Sequence, residues 1–117
     1  MKYPFTFYVE NLPPDVGGEA RGFVIRILKK YKDDYGIYKH ELVHVKQWFR
    51  TFGIHSILCS KLLRPIFSWY KLRVEVEAYK EQLKHYPDDR TELFAEYISK
   101  YYNLTITKEE AEALLRR

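Results

Sequence analysis

The sequence has one cysteine, Cys59, so an internal disulfide is impossible and a disulfide-stapled scaffold is excluded. It has no apolar run longer than four residues. That is far below the ~18 a membrane-spanning helix needs. After Met1-Lys2-Tyr3-Pro4 the residues alternate instead of forming an apolar block, so no secretory signal is expected. Together with the scarcity of cysteine, this sets a reducing, cytoplasmic setting as the expectation. Five glycines and five prolines in 117 residues exclude a collagenous or proline-rich chain. There is no CxxC pair, no phosphate-binding glycine loop and no serine nucleophile elbow. No internal repeat is present. Charge of one sign is also in short supply: 20 Lys and Arg against 16 Asp and Glu leave a net +4. The longest basic cluster, Lys29-Lys30-Tyr31-Lys32, runs straight into Asp33-Asp34. A solvated face explains it better than nucleic-acid binding.

What is present suits one α+β domain spanning residues 1–117. The hydrophobic fraction is 46%, enough for a core. Phe5, Phe7 and Val9 alternate with Thr6, Tyr8 and Glu10, the pattern of a half-buried strand. A turn-rich connection, 11–18, leads to a second strand over Arg21 to Leu28. The two are expected to pair as a hairpin or small antiparallel sheet. From Asp33 onward the period becomes helical: Tyr38, Leu42, Val45, Phe49 and Phe52 recur at helical spacing, the first four as the core stripe. Asp33 or Asp34 is the candidate N-cap and Gly53 the stop. Residues 54–64 suit a short helix. Pro65 fits the first turn of a long helix reaching about Lys84. Asp89-Arg90-Thr91-Glu92 and Thr107-Lys108-Glu109-Glu110 have capping-box spacing and open two further helices. Strands first and helices after define the class. Trp48, Phe67, Trp69 and Phe94 read as core, and Cys59 as a small buried hydrophobe.

The chemistry is concentrated in His40-Glu41-Leu42-Val43-His44, an HExxH match. On a helix, residues four apart lie one above the other, so both imidazoles can reach one metal ion. Glu41 then stands beside that ion, placed to take a proton from bound water. Chance produces such a pentapeptide in roughly one in eighty chains of this composition. The match is therefore informative without being decisive. Both histidines lie off the expected core stripe, as a cleft-lining pair should.

A catalytic zinc takes three protein ligands and leaves one position open. The helix downstream offers Glu75, Glu77 and Glu81. Glu75 shares a face with Leu72, Ala78, Tyr79 and Leu83, where an unpaired carboxylate is costly to bury. Glu77 shares a face with Arg73, Lys80, Glu81 and Lys84, an ordinary solvated charge ladder. Glu75 is the better candidate and Glu77 the alternative.

Glu75-Val76-Glu77-Ala78 downstream of HELVH resembles the Glu-x-x-Ala signature of gluzincin-type zinc metallopeptidases. It is similar to the CAAX-protease-like group and, in its Glu-x-Glu-Ala form, closer to the small ImmA/IrrE-type proteases. The resemblance covers residues 33–50 and 70–83. The layout also looks like the minimal zincin core of small bacterial and phage proteins. The resemblance implies that Glu75 is the third zinc ligand, beside His40 and His44. It also implies that the strand before the HExxH helix is an edge that pairs with extended substrate. One departure stands out. The family usually has Asp or Asn four residues after the ligand Glu, orienting a zinc-bound histidine, whereas this chain has Tyr79. A Glu77 ligand would restore a carboxylate there, Glu81.

The expected activity is zinc-assisted hydrolysis of an amide bond, with Glu41 as general base. A peptide, a protein loop or a peptidoglycan stem is the expected substrate class. Tyr70, Tyr79, Tyr86, His55 and His85 are the candidates for the donor that stabilises the oxyanion. The competing expectation keeps the fold and the metal but assigns a binding or regulatory module without catalysis.

Overall fold

The computed structural model describes residues 3–60, 63, 66–102 and 105–117. Thr6–Val9 (β1), Gly18–Arg21 (β2) and Val24–Leu28 (β3) form a three-stranded sheet in the order β1-β3-β2. Helices follow at Tyr35–Arg50 (α1), Ile54–Leu58 (α2), Ser68–Leu83 (α3), Thr91–Tyr101 (α4) and Lys108–Arg116 (α5). The class is α+β, as the order of patterns implies.

The pairing of the first and last strands differs from expectation. β1 runs parallel to β3, with Thr6 opposite Ile25 and Tyr8 opposite Ile27. The hairpin is instead β2–β3, closed at Gly22-Phe23 within the segment that reads as one strand. The alternation in β1 also points the other way. Ile25 and Ile27 are buried against α1, so their partners Thr6 and Tyr8 face inward. Phe5 and Phe7 stand on the outer face, about half exposed.

Asp34 caps α1, its carboxylate accepting the Ile37 N–H at 3.1 Å. The helix ends at Arg50, and the chain then turns through two left-handed residues, Phe52 (φ 55°) and Gly53 (φ 88°). Pro65, the expected first turn of α3, lies outside the described residues. The box expected at α4 is absent: its N-cap is Arg90, whose side chain caps nothing, and Asp89 just before it accepts both the backbone N–H and the hydroxyl of Thr91, at 2.9 and 2.6 Å. At α5 the full box is present, Thr107 and Glu110 each satisfying the other's backbone N–H.

Two apolar clusters result. One joins Ile25 and Ile27 of β3 to Tyr38 and Val45 of α1. The other joins Tyr79 of α3 to Phe94, Ala95 and Ile98 of α4 and to Ala111 and Leu115 of α5. Between them α1 packs on α3, and the buried residues at that seam are polar: His40, His44 and Gln47 from α1, Glu75 and Gln82 from α3. So α1 has two buried faces. Phe49, placed by periodicity on the core stripe, is 54% exposed and lies outside both clusters. Trp69 is likewise exposed, Trp48 and Phe67 are half-buried, and Phe94 is core. At the far end of the seam Tyr86 closes on Gly36. A Cβ there would lie 2.6 Å from the phenol, so the close approach requires glycine. The Tyr86 hydroxyl donates to Asp34 (2.7 Å) and accepts from Gln82 (2.8 Å), tying the start of α1 to the end of α3.

Candidate metal centre

Three donor atoms converge in the seam. His40 Nε2 lies 3.2 Å from His44 Nε2. Glu75 Oε1 lies 3.3 Å from the first and 3.1 Å from the second. Around a tetrahedral zinc with bonds of about 2.0–2.1 Å, neighbouring donors stand about 3.3–3.4 Å apart. The triangle thus has the dimensions of one face of a zinc coordination shell. All three side chains are buried. One turn of α1 supplies the histidines, and α3 crosses it so that Glu75 faces them.

The surrounding hydrogen bonds orient this set. The Gln47 amide donates from Nε2 to the Val74 carbonyl (3.1 Å) and to Glu77 Oε1 (2.6 Å). Both partners only accept, so the NH2 end faces them and Oε1 faces His44 Nδ1 at 2.8 Å. Nδ1 therefore carries a proton and donates it. This leaves the Nε2 lone pair of a neutral His44 aimed at Glu75 and His40, the tautomer a metal requires. The His44 Nε2 lone pair and Glu75 Oε1 then face each other with His40 Nε2 beside them, an arrangement that a cation or a proton reconciles. His40 is held by packing: its Nδ1 is buried without a hydrogen-bond partner among the described residues, and the Tyr79 ring stands edge-on at 4.3 Å. The Tyr79 hydroxyl meets that of Tyr102 at 2.9 Å. Where a carboxylate would orient a histidine in the resembled family, this chain has an aromatic wall.

Lys71, one turn before Glu75, grips its other oxygen, Oε2, at 2.7 Å. Burial alone pushes the Glu75 carboxyl up, but the Lys71 ammonium and His44 outweigh it and hold it well below the usual range. Burial pulls His44 down, yet the charge and hydrogen bond of Glu75, with the charge of Glu41, raise it to about 9. These shifts favour a protonated imidazole at His44 beside the ionised Glu75 in the metal-free chain. The Glu41 carboxyl is shifted upward by burial, more than the two histidines lower it. Its Oε2 lies under β2, 3.4 Å from where a Cβ on Gly18 would stand.

Glu77 lies away from the donor triangle and serves its surroundings: its Oε1 takes Gln47 and, at 3.4 Å, Arg50. Glu81 pairs with His85 and Lys84. Of the five candidate oxyanion donors, Tyr79 and Tyr86 already hold hydroxyl partners, Tyr70 bonds His55 at 3.0 Å, and His85 is bound to Glu81. His55 lines the cleft, its ring 6.1 Å from that of His44, and burial and the nearby His44 lower it to about 4. Cys59, also on the cleft wall, is only half-buried and lies 3.9 Å from His55 Nε2, so the reading of an inert buried thiol is corrected.

The centre opens into a cleft of about 1380 Å³ between β2 and α2 on one side and α3 and α4 on the other. The strand bordering it is β2, an edge of the sheet. The segment expected to be the edge, β3, is the central strand, paired on both sides. Gln47, Lys71 and Tyr102 are the residues that sequence reasoning missed. The spacings His44–Gln47 (i, i+3) and Lys71–Glu75 (i, i+4) were the available signals. Among the described residues no helix is long and apolar enough to cross a membrane. No family model matches the chain, and neither the curated proteins nor the solved structures contain a match.

Proposed function

We propose that the chain is a zinc-dependent peptidase of the cytoplasm. The observation that carries this reading is the His40–His44–Glu75 triangle, with its zinc-sized edges, its Gln47-fixed tautomer and Glu41 one residue along the same helix. When bound, zinc supplies a water with a pKa near ~7 and a Lewis acid for the scissile carbonyl. The residues of the chain do the rest. His40, His44 and Glu75 fill three positions and leave the cleft side open. Glu41, its carboxylate weakened as an acid by burial, takes the proton and returns it to the leaving amine. The free edge of β2 offers backbone groups to an extended chain, which suits a peptide, a protein loop or a peptidoglycan stem.

Elemental analysis of protein purified without chelator or metal-affinity resin tests the centre, beside Glu75→Gln. The expected result is about one zinc per chain, lost in the variant. Iron in place of zinc, or no metal after reconstitution, overturns it. Glu41→Gln tests the chemistry: it is expected to keep the metal and lose hydrolysis of a peptide library. A function that survives in Glu41→Gln would instead establish a metal-holding binding module.

A further inference from the structure

The +4 charge of the chain is unevenly placed. Residues 42–74 contain six Lys and Arg and no Asp or Glu, so the remainder is net −2. The same stretch displays apolar side chains to solvent: Phe49 at 54%, Phe52 at 94%, Ile54 at 54% and Ile57 at 59% exposed. Trp48 stands beside the first of these. Its ring meets Phe49 at 5.1 Å and Phe23, itself 40% exposed, at 5.7 Å. Gly53 closes on the indole from the other side, which brings the start of α2 against it. Lys46, Arg50 and Arg73 are exposed within the same stretch, Arg50 lying 3.4 Å from the Glu77 carboxylate of α3.

We infer that this rim docks on an anionic lipid surface. Two features select that occupant. Apolar tips in a stretch whose own charges are all basic, with Lys46 and Arg73 exposed beside the Arg50–Glu77 pair, are the two-signal combination that holds a peripheral protein on acidic headgroups. Phe52 also protrudes almost wholly into solvent from a left-handed backbone, a conformation uncommon for any residue but glycine or asparagine. A tip of this kind enters an acyl–headgroup boundary without needing a shaped pocket. The helix α2 is two-sided: His55 and Cys59 face the cleft, while Ile54 and Ile57 face outward. Docking there sets the cleft mouth beside the headgroups.

The test is co-sedimentation of the full chain with vesicles of phosphatidylcholine alone or mixed with phosphatidylglycerol. Binding is expected to the anionic vesicles only and to weaken as salt rises. Phe52→Asn with Ile57→Ser is expected to lower it about tenfold or more. Asparagine tolerates the left-handed backbone, and an unchanged circular dichroism spectrum verifies the fold. Lys46→Glu with Arg73→Glu is expected to abolish the preference for anionic lipid. Equal binding to neutral vesicles, no binding, or unaltered binding in the Phe52/Ile57 variant overturns the inference. So does a dimer in lipid-free solution that the same variant converts to monomer. Metal content reads the proposed centre separately, so either proposal can fail alone.

Discussion

Gln47 decides which nitrogen of His44 faces Glu75. Replacing it by alanine frees the imidazole to rotate and to change tautomer, and leaves Nδ1 without its acceptor. Loss of such an outer partner costs ~10–100-fold in metal affinity. Competition against a chromophoric chelator is expected to show that loss for Gln47→Ala, with the fold intact. Glutamate at the same position keeps an acceptor for His44 but turns a second carboxylate on Glu77, so it is expected to rescue only in part. His44 also sets the pH response. Its metal-free pKa is about 9, so a proton must leave before a metal can bind. Affinity is then expected to rise about tenfold per pH unit up to that value and to level off above it. The stability that the protonated ring gives the metal-free protein is full below the ordinary histidine pKa, ~6.5. It is lost as pH rises through about 9, and thermal melts with and without chelator check this.

Among the elements, the caps of α1 and α5 were legible, while the box expected before α4 and the strand partners were not. Asp34 and the Thr107–Glu110 box follow from side chains three residues apart, a local matter that spacing reveals. Thr107→Ala is accordingly expected to cost ~1 kcal/mol, seen as a lower denaturant midpoint at unchanged slope. Asp89 gives a second local test. Its hydrogen bonds from Thr91 hold its carboxyl down, at about 2, so its contribution is full above the ordinary carboxylate range and is lost as pH falls through that value. Asp89→Ala is expected to lower the melting temperature at neutral pH and to match the parent at about pH 2. Strand pairing depends on residues far apart. Nothing in the alternation of Phe5, Phe7 and Val9 says which side of a half-buried strand turns to the core, and here it is the side of Thr6 and Tyr8. The HExxH spacing placed both histidines on one face of α1, and the Glu75 stripe placed a carboxylate on α3. That α1 would bury two faces at once, and so carry a polar one into the seam, is a property of the packed molecule and not of a single period.

For the whole molecule, the seam between the two apolar clusters is where the proposed metal would act on stability. A metal that binds only the folded chain adds about 4 kcal/mol at a concentration a thousandfold above its Kd. Chelation is therefore expected to lower the melting temperature, and more in the parent than in Glu75→Gln, whose centre holds no metal to lose. Gly36→Ala probes the same seam from its far end: the added methyl meets the Tyr86 phenol, which must retreat from Asp34. Residues 42–74, finally, contribute all of the excess positive charge, a feature hidden by a net value near balance.

A centre whose donors come from both sides of that seam is a latch. α1 brings two of its pins and α3 the third, and the apolar clusters behind them are separate. An ion held there as proposed would lose Glu75 as the helices part, so its rate of exchange into a chelator entering by the open cleft would become a clock for that parting. Substitutions that loosen the seam without touching a donor, Gly36→Ala foremost, should speed the clock while leaving the initial metal content at one per chain.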